Sequence, residues 1–327
     1  MKLRILVCLA LAAAVMGQSP KPEPLRLNKS ILMPGVKGRL GHLSVDLKNQ
    51  RIFVAATGNN SIEVLDLKSG RSIGSVTGLK GPQGIFYYAE TNRIVVASRD
   101  DGTVKFLDGS SFQALATVNK FTNGDIVRYD ASSKTVVAGY GDGALGFFDL
   151  NGKQLAEVRL DSHPESFLIE RQGPRILVNT PTNKSVTIVD RQKKSVVRAW
   201  PLSNVASNYA MALDEANHRL FLACRNPPRV ITLDSNTGIQ IDQRDTVGDV
   251  NDIYYDAARK RIYASGGDGW IDVIQQVNGD SYEPLAKVNS GAGARTSLYV
   301  AEWNTLFVAI PRRGEQPAEL RVFDAAN

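Results

Sequence analysis

His163 and Glu165, in the run Ser162-His163-Pro164-Glu165-Ser166, are the residues of this chain best spaced for proton transfer. An imidazole and a carboxylate two positions apart can serve as base and orienter. The intervening Pro164 equally suits an ordinary turn. The remaining histidines are His42 and His218, and no Cys-x-x-Cys, His-x-x-x-His or His-Glu-x-x-His spacing occurs, so no metal site is expected. Gly-x-Ser-x-Gly is absent as well. With only Cys8 and Cys224, haem attachment through Cys-x-x-Cys-His is excluded. Asp100, Asp101, Asp249, Asp252 and Asp268 fall in turns, without the Asp-x-Asp-x-Asp-Gly order of a calcium loop. No cofactor is expected.

Such residues need a frame, and the frame is a repeat. Seven apolar strands begin at Arg51, Arg93, Lys134, Arg175, Arg219, Arg261 and Thr305, spaced 42, 41, 41, 44, 42 and 44 residues apart. A period in the forties built only of short β-branched runs is the mark of propeller blades. Each unit resolves into strands A to D, separated by turn clusters such as Gly58-Asn59-Asn60 and Gly141-Asp142-Gly143. The seventh unit ends after strand C, while an unassigned strand at 25–33 precedes the first unit. That strand is expected to pair with 320–323 and close the ring. The fold class is therefore all-β: one seven-bladed propeller of four-stranded antiparallel blades over 25–327.

The flanking sequence points to export. Lys2 and Arg4 precede an apolar run from Ile5 to Met16, followed by Gly17, which together read as a signal peptide over 1–17. A run of twelve residues reaches about 18 Å as a helix, too short to span a bilayer. Residues 18–24 form a proline-containing tether. The mature chain is expected to be secreted or periplasmic, monomeric and without a transmembrane span. Cys224 would then be its lone cysteine, unable to form an intramolecular disulfide.

The repeats resemble those of the YVTN-repeat β-propellers, which join a strand like Arg-Leu-Tyr-Val-Ala through a polar turn to a strand ending in Ile-Asp. Residues 51–56, 62–66 and Gly81-Pro82-Gln83-Gly84 fit that plan, as do 93–108, 175–190 and 219–234. The resemblance covers 42–327 and implies an exported bacterial propeller, a class often without assigned activity and with some members that bind macromolecules. Gln276 in place of the aspartate and a long last B–C loop depart from the pattern.

Six B strands open with Arg or Lys, and the chain carries a net charge of +6. A basic ring of this kind could attract polyanions. However, Arg51, Arg93, Lys134, Arg175 and Arg219 each lie fifteen residues before an aspartate, the spacing that sets two residues opposite across a B–C hairpin. Internal pairing would neutralise the ring, so nucleic acid is not an expected partner. The opposite face, made by D–A connections and B–C tips, is expected to bind any ligand, through His42, Arg99, Asp125, Tyr140, His163, Glu165, Arg225, Asp249, Asp268, Arg295 and Arg312. Residues 311–318 are expected to raise a lip there. The expected function is a non-enzymatic binding or scaffold module of the cell envelope, its partner an unidentified protein or small molecule. A lactonase- or lyase-type propeller enzyme and a polyanion binder are the alternatives. A crevice joining His163 and Glu165 to arginines of neighbouring units would favour the enzyme.

Overall fold

A computed structural model describes residues 23–326. The segment 1–17, expected to be a signal peptide, and most of the expected tether 18–24 lie outside the described residues. Seven four-stranded antiparallel sheets follow one another around a ring, six of them built from consecutive strands A to D.

Strand B shows why a ring forms. In the first blade Ile52 and Val54 enter a cluster shared with the seventh blade, while Phe53 and Ala55 enter one shared with the second. All four are fully buried. A strand with two apolar faces has to lie between layers, and the same alternation recurs around the molecule, giving one apolar cluster at each of the seven blade boundaries. Polar residues concentrate where strands end, at the channel and on the two faces.

The ring closes as expected. Leu25–Leu32 pairs antiparallel with Glu319–Ala325 as the outer strand of the seventh blade, Leu27 facing Phe323 and Ile31 facing Leu320. Leu25 and Ile31 are fully buried.

The charge ring differs from expectation. Arg51, Arg93, Arg175 and Arg219 do face Asp66, Asp108, Asp190 and Asp234 in register. In the third and sixth blades the register is offset by one, so that Val136 faces Phe148 and Arg261 faces Gln275 rather than Gln276. Lys134 sits in the A–B turn with φ of 55°, ahead of a strand that starts at Thr135. The facing side chains mostly bond elsewhere. Asp66, Asp108 and Asp190 accept amides of their own C–D turns, from Ser69 at 2.6 Å, Ser111 at 2.7 Å and Lys193 at 2.9 Å. These bonds hold all three carboxyls below the ordinary range. The longer arginines reach the next blade: Arg93 donates to Asn151 Oδ1 at 3.0 Å, Arg175 to Ser235 O at 2.5 Å, and Arg219 to Gly279 O at 2.9 Å. Arg51 instead binds Asp46 at 2.7 Å, and Arg219 lies 3.5 Å from its facing Asp234. Arg93, Arg175 and Arg219 thus fasten one blade to the next, while Arg51 is held within its own.

Candidate functional site

Near the start of each A strand, from two residues before it to its third residue, lies a polar residue: His42, Gln83, Asp125, Glu165, Asn208, Asp252 and Arg295 in blades one to seven. The backbone fixes these positions. His42 N donates to Gln83 O at 3.0 Å, Asp125 N to Gly139 O at 3.1 Å and Glu165 N to Asn179 O at 3.1 Å. Adjacent connections come so close that a Cβ on Gly84 would lie 1.9 Å from Asp125 O, which explains the glycine of Pro82-Gln83-Gly84.

Contacts between distant blades place these side chains at the ring axis. His42 of blade one has Nε2 3.8 Å from Asp125 of blade three and Nδ1 3.6 Å from Asp252 of blade six. Burial alone would depress the His42 pKa, but Asp252 and then Asp125 outweigh it and hold the imidazole above its ordinary value. Asp125, His163 and Glu165 bring donor atoms within 4.8 Å of one another. Burial, followed by the charge of Asp125, pushes the Glu165 carboxyl up to about 7, against the opposing pull of Arg225, His42 and Arg39.

Asp249 ties two arginines to the same rim, Arg225 at 3.2 Å and Arg295 at 2.9 Å. Arg225 also donates to Val250 O and Asn251 Oδ1 and lies over the Tyr209 ring, 3.9 Å from its centroid. Arg39, which the sequence did not single out, joins them: Arg295 and Arg99 repel it while Asp125 and Glu165 attract it, and burial lowers its pKa most of all. Its Nε is buried with no hydrogen-bond partner among the described residues, and so is Oδ1 of Asp125. Arg99 stands exposed beside this group.

Of the expected site residues, His42, Arg99, Asp125, His163, Glu165, Arg225, Asp249 and Arg295 therefore converge on one charged mouth. Three do not join it. Tyr140 is buried against Phe121, ring centroids 3.8 Å apart, and donates its hydroxyl to Glu157 within its own blade. Asp268 is exposed and accepts the Gly248 amide at 3.0 Å, bracing a turn. Arg312 lies exposed on the 311–318 segment. That segment folds down onto the connection before blade seven, Gln316 Nε2 donating to Ala292 O at 2.9 Å. Arg39 and Asp252 were missed as site residues. The signal for Asp252 was only approximate, since the polar residues near the A-strand starts are not in one register and Gly84 and Ala210 stand at its own position in other blades, whereas Arg39 precedes the first repeat altogether.

The channel continues to the opposite face, where Leu168, Arg171, Leu213, Glu215, Tyr255, Tyr299 and their neighbours line a cavity of 760 Å³. Its carboxylates are already satisfied. Glu215 accepts the Arg171 and Gln172 amides, Asp214 is held by Asn217, and Asp256 is held by Arg259 and Tyr263. Buried polar atoms stay open at both ends, Arg259 Nε and Tyr299 Oη here and Arg39 Nε and Asp125 Oδ1 at the charged mouth, but only at the mouth do a carboxylate and a guanidinium both keep one open.

No family model matches the chain. Autophagy-related protein 16 from Arabidopsis thaliana is 30% identical over 173 residues, which is 51% of this chain and 34% of that protein, so the chain spans about a third of that relative's length. Among solved structures, a chain of the mitotic checkpoint complex superposes with a TM-score of 0.78 at 13% identity, over 99% of each chain. A chain of hydrazine synthase from Kuenenia stuttgartiensis superposes with a TM-score of 0.73 at 12% identity, over 84% of this chain and 94% of that one. At such identities the likeness is one of fold: the chain is a seven-bladed, all-β propeller.

Proposed function

We propose that this chain is an exported binding module of the cell envelope that holds a carboxylate- or phosphate-bearing ligand in the charged mouth. One observation carries the reading: Arg39 has a buried Nε without a partner, beside an exposed Arg99, while the other rim arginines are engaged by Asp249. A guanidinium fork matches a carboxylate or phosphate in shape and charge. Among the described residues no helix is long and apolar enough to cross a membrane. The resemblance to exported YVTN-repeat propellers belongs to this proposal. Thermal shift against a panel of mono-, di- and tricarboxylates and inorganic phosphate tests it. At least one member should stabilise the wild type and fail on Arg39→Ala; a panel without a response removes the anion reading. Export predicts a mature protein in the envelope fraction whose N-terminus lies near Gln18, and an uncleaved cytoplasmic chain contradicts it.

A second reading, a hydrolase or lyase, is favoured by Glu165, whose carboxyl lies near 7 in the same group as His163 and next to arginines of other blades. A general acid or base there predicts turnover that Glu165→Gln abolishes while binding persists. Binding without turnover in the wild type sustains the first reading.

A further inference from the structure

We propose that Asp125, His163 and Glu165 form a binding site for a first-row divalent transition-metal ion at the mouth of the channel. Asp125 leads into blade three, and the other two residues lead into blade four, so no linear spacing announces the set. The fold brings one donor atom from each within 4.8 Å of the others.

The histidine is prepared for the task. His163 Nδ1 lies 2.7 Å from Gly141 O. A carbonyl only accepts, so Nδ1 carries the proton and Nε2 keeps its lone pair. A backbone carbonyl fixing the tautomer in this way is the usual outer contact of a metal-bound imidazole. The Asn123 amide nitrogen lies 3.3 Å from Nδ1 and 3.5 Å from Nε2, both longer than the 2.7 Å contact to Gly141 O, and Nε2 has no other hydrogen-bond partner among the described residues.

Asp125 supplies an independent sign of a ligand. It is 8% exposed, and its Oδ1 lies 3.8 Å from His42 Nε2 with no hydrogen-bond partner among the described residues. A buried carboxylate oxygen with nothing to accept is costly, and a cation removes that cost.

One nitrogen and two carboxylate oxygens suit zinc and its first-row neighbours better than calcium, which requires six or more oxygens. Bonds of roughly 2.0–2.2 Å require donors about 3.4 Å apart, so side-chain rotation must draw the three inward. Three protein ligands leave a coordination position open to an incoming group. Of the surrounding arginines, Arg225 and Arg295 are compensated by Asp249. Arg39, drawn toward Asp125 and Glu165 but with its Nε unpartnered, is where an anion bridging metal and arginine would sit. The metal site extends the reading of the mouth as a binding surface.

Zinc chloride titrated calorimetrically into tag-free, chelator-stripped protein tests the site. The expected result is saturable binding of one equivalent. Affinity should fall at least about tenfold in His163→Ala and in Glu165→Gln, and His218→Ala should match the wild type. Circular dichroism confirms that each variant is folded, and Asp125→Asn is a third probe of the same ion. Absence of saturable binding overturns the site, as does unchanged affinity in both His163→Ala and Glu165→Gln. The anion panel is read separately on metal-free protein, so a failed zinc titration beside a positive panel overturns the metal site alone.

Discussion

Cys224 is fully buried, and burial pushes its thiol up to about 12. The native protein should therefore resist a thiol reagent that labels it stoichiometrically in denaturant; rapid native labelling would contradict the packing. Glu165 makes a sharper statement. Its folded carboxyl titrates near 7 against an ordinary 4.5, so the folded state holds a proton that the unfolded state has lost between those values. Stability must then fall as pH rises from about 4.5 to 7. In metal-free protein, Glu165→Gln should remove that slope and gain on the order of 1–3 kcal/mol at pH 8, as read from urea unfolding at several pH values. Arg93 shows how residue-level reading of the sequence fails. Register put it opposite Asp108, correctly, but the short aspartate caps its own turn while the long arginine crosses to Asn151. A double-mutant cycle on Arg93 and Asp108 should give coupling near zero, and the Arg93–Asn151 cycle about 0.5 kcal/mol or more. Spacing fixes which backbones face each other, and side-chain length decides which atoms meet.

At the level of elements, the A-to-D plan was legible because both faces of strand B are apolar and the pattern repeats seven times. The missing seventh D strand was legible by counting. One-residue offsets were not, since Lys134 continues the sequence pattern of a strand while its positive φ places it in a turn. Closure by Leu25–Leu32 predicts a contrast along a single strand. Ile31 is fully buried against the seventh blade and Leu32 is 55% exposed. Ile31→Ala should cost about 2–4 kcal/mol and Leu32→Ala less than about 0.5 kcal/mol by denaturant unfolding. Equal effects would mean that this strand does not seal the ring.

For the whole molecule, the two faces divide the labour. On the A–B turn side, arginines bind carbonyls and turn residues of the next blade, which leaves little charge for a partner. On the other side, connections leading into blades one, three, four and six bring polar groups to one axis, and Asp125 and Arg39 keep buried atoms unpaired there. The sequence showed which face varies, and it named eight residues of the mouth. It did not show that blades one, three and six meet there, because contact across the axis depends on ring diameter and channel width, which no single repeat encodes. Amide hydrogen exchange with and without the tightest-binding member of the anion panel tests this division most directly. The account predicts new protection in segments 39–42, 97–101, 123–126, 163–166 and 293–296, with the A–B turns at 47–50, 89–92, 131–134 and 215–218 unchanged. Protection confined to those turns would contradict it and place the binding surface on the opposite face.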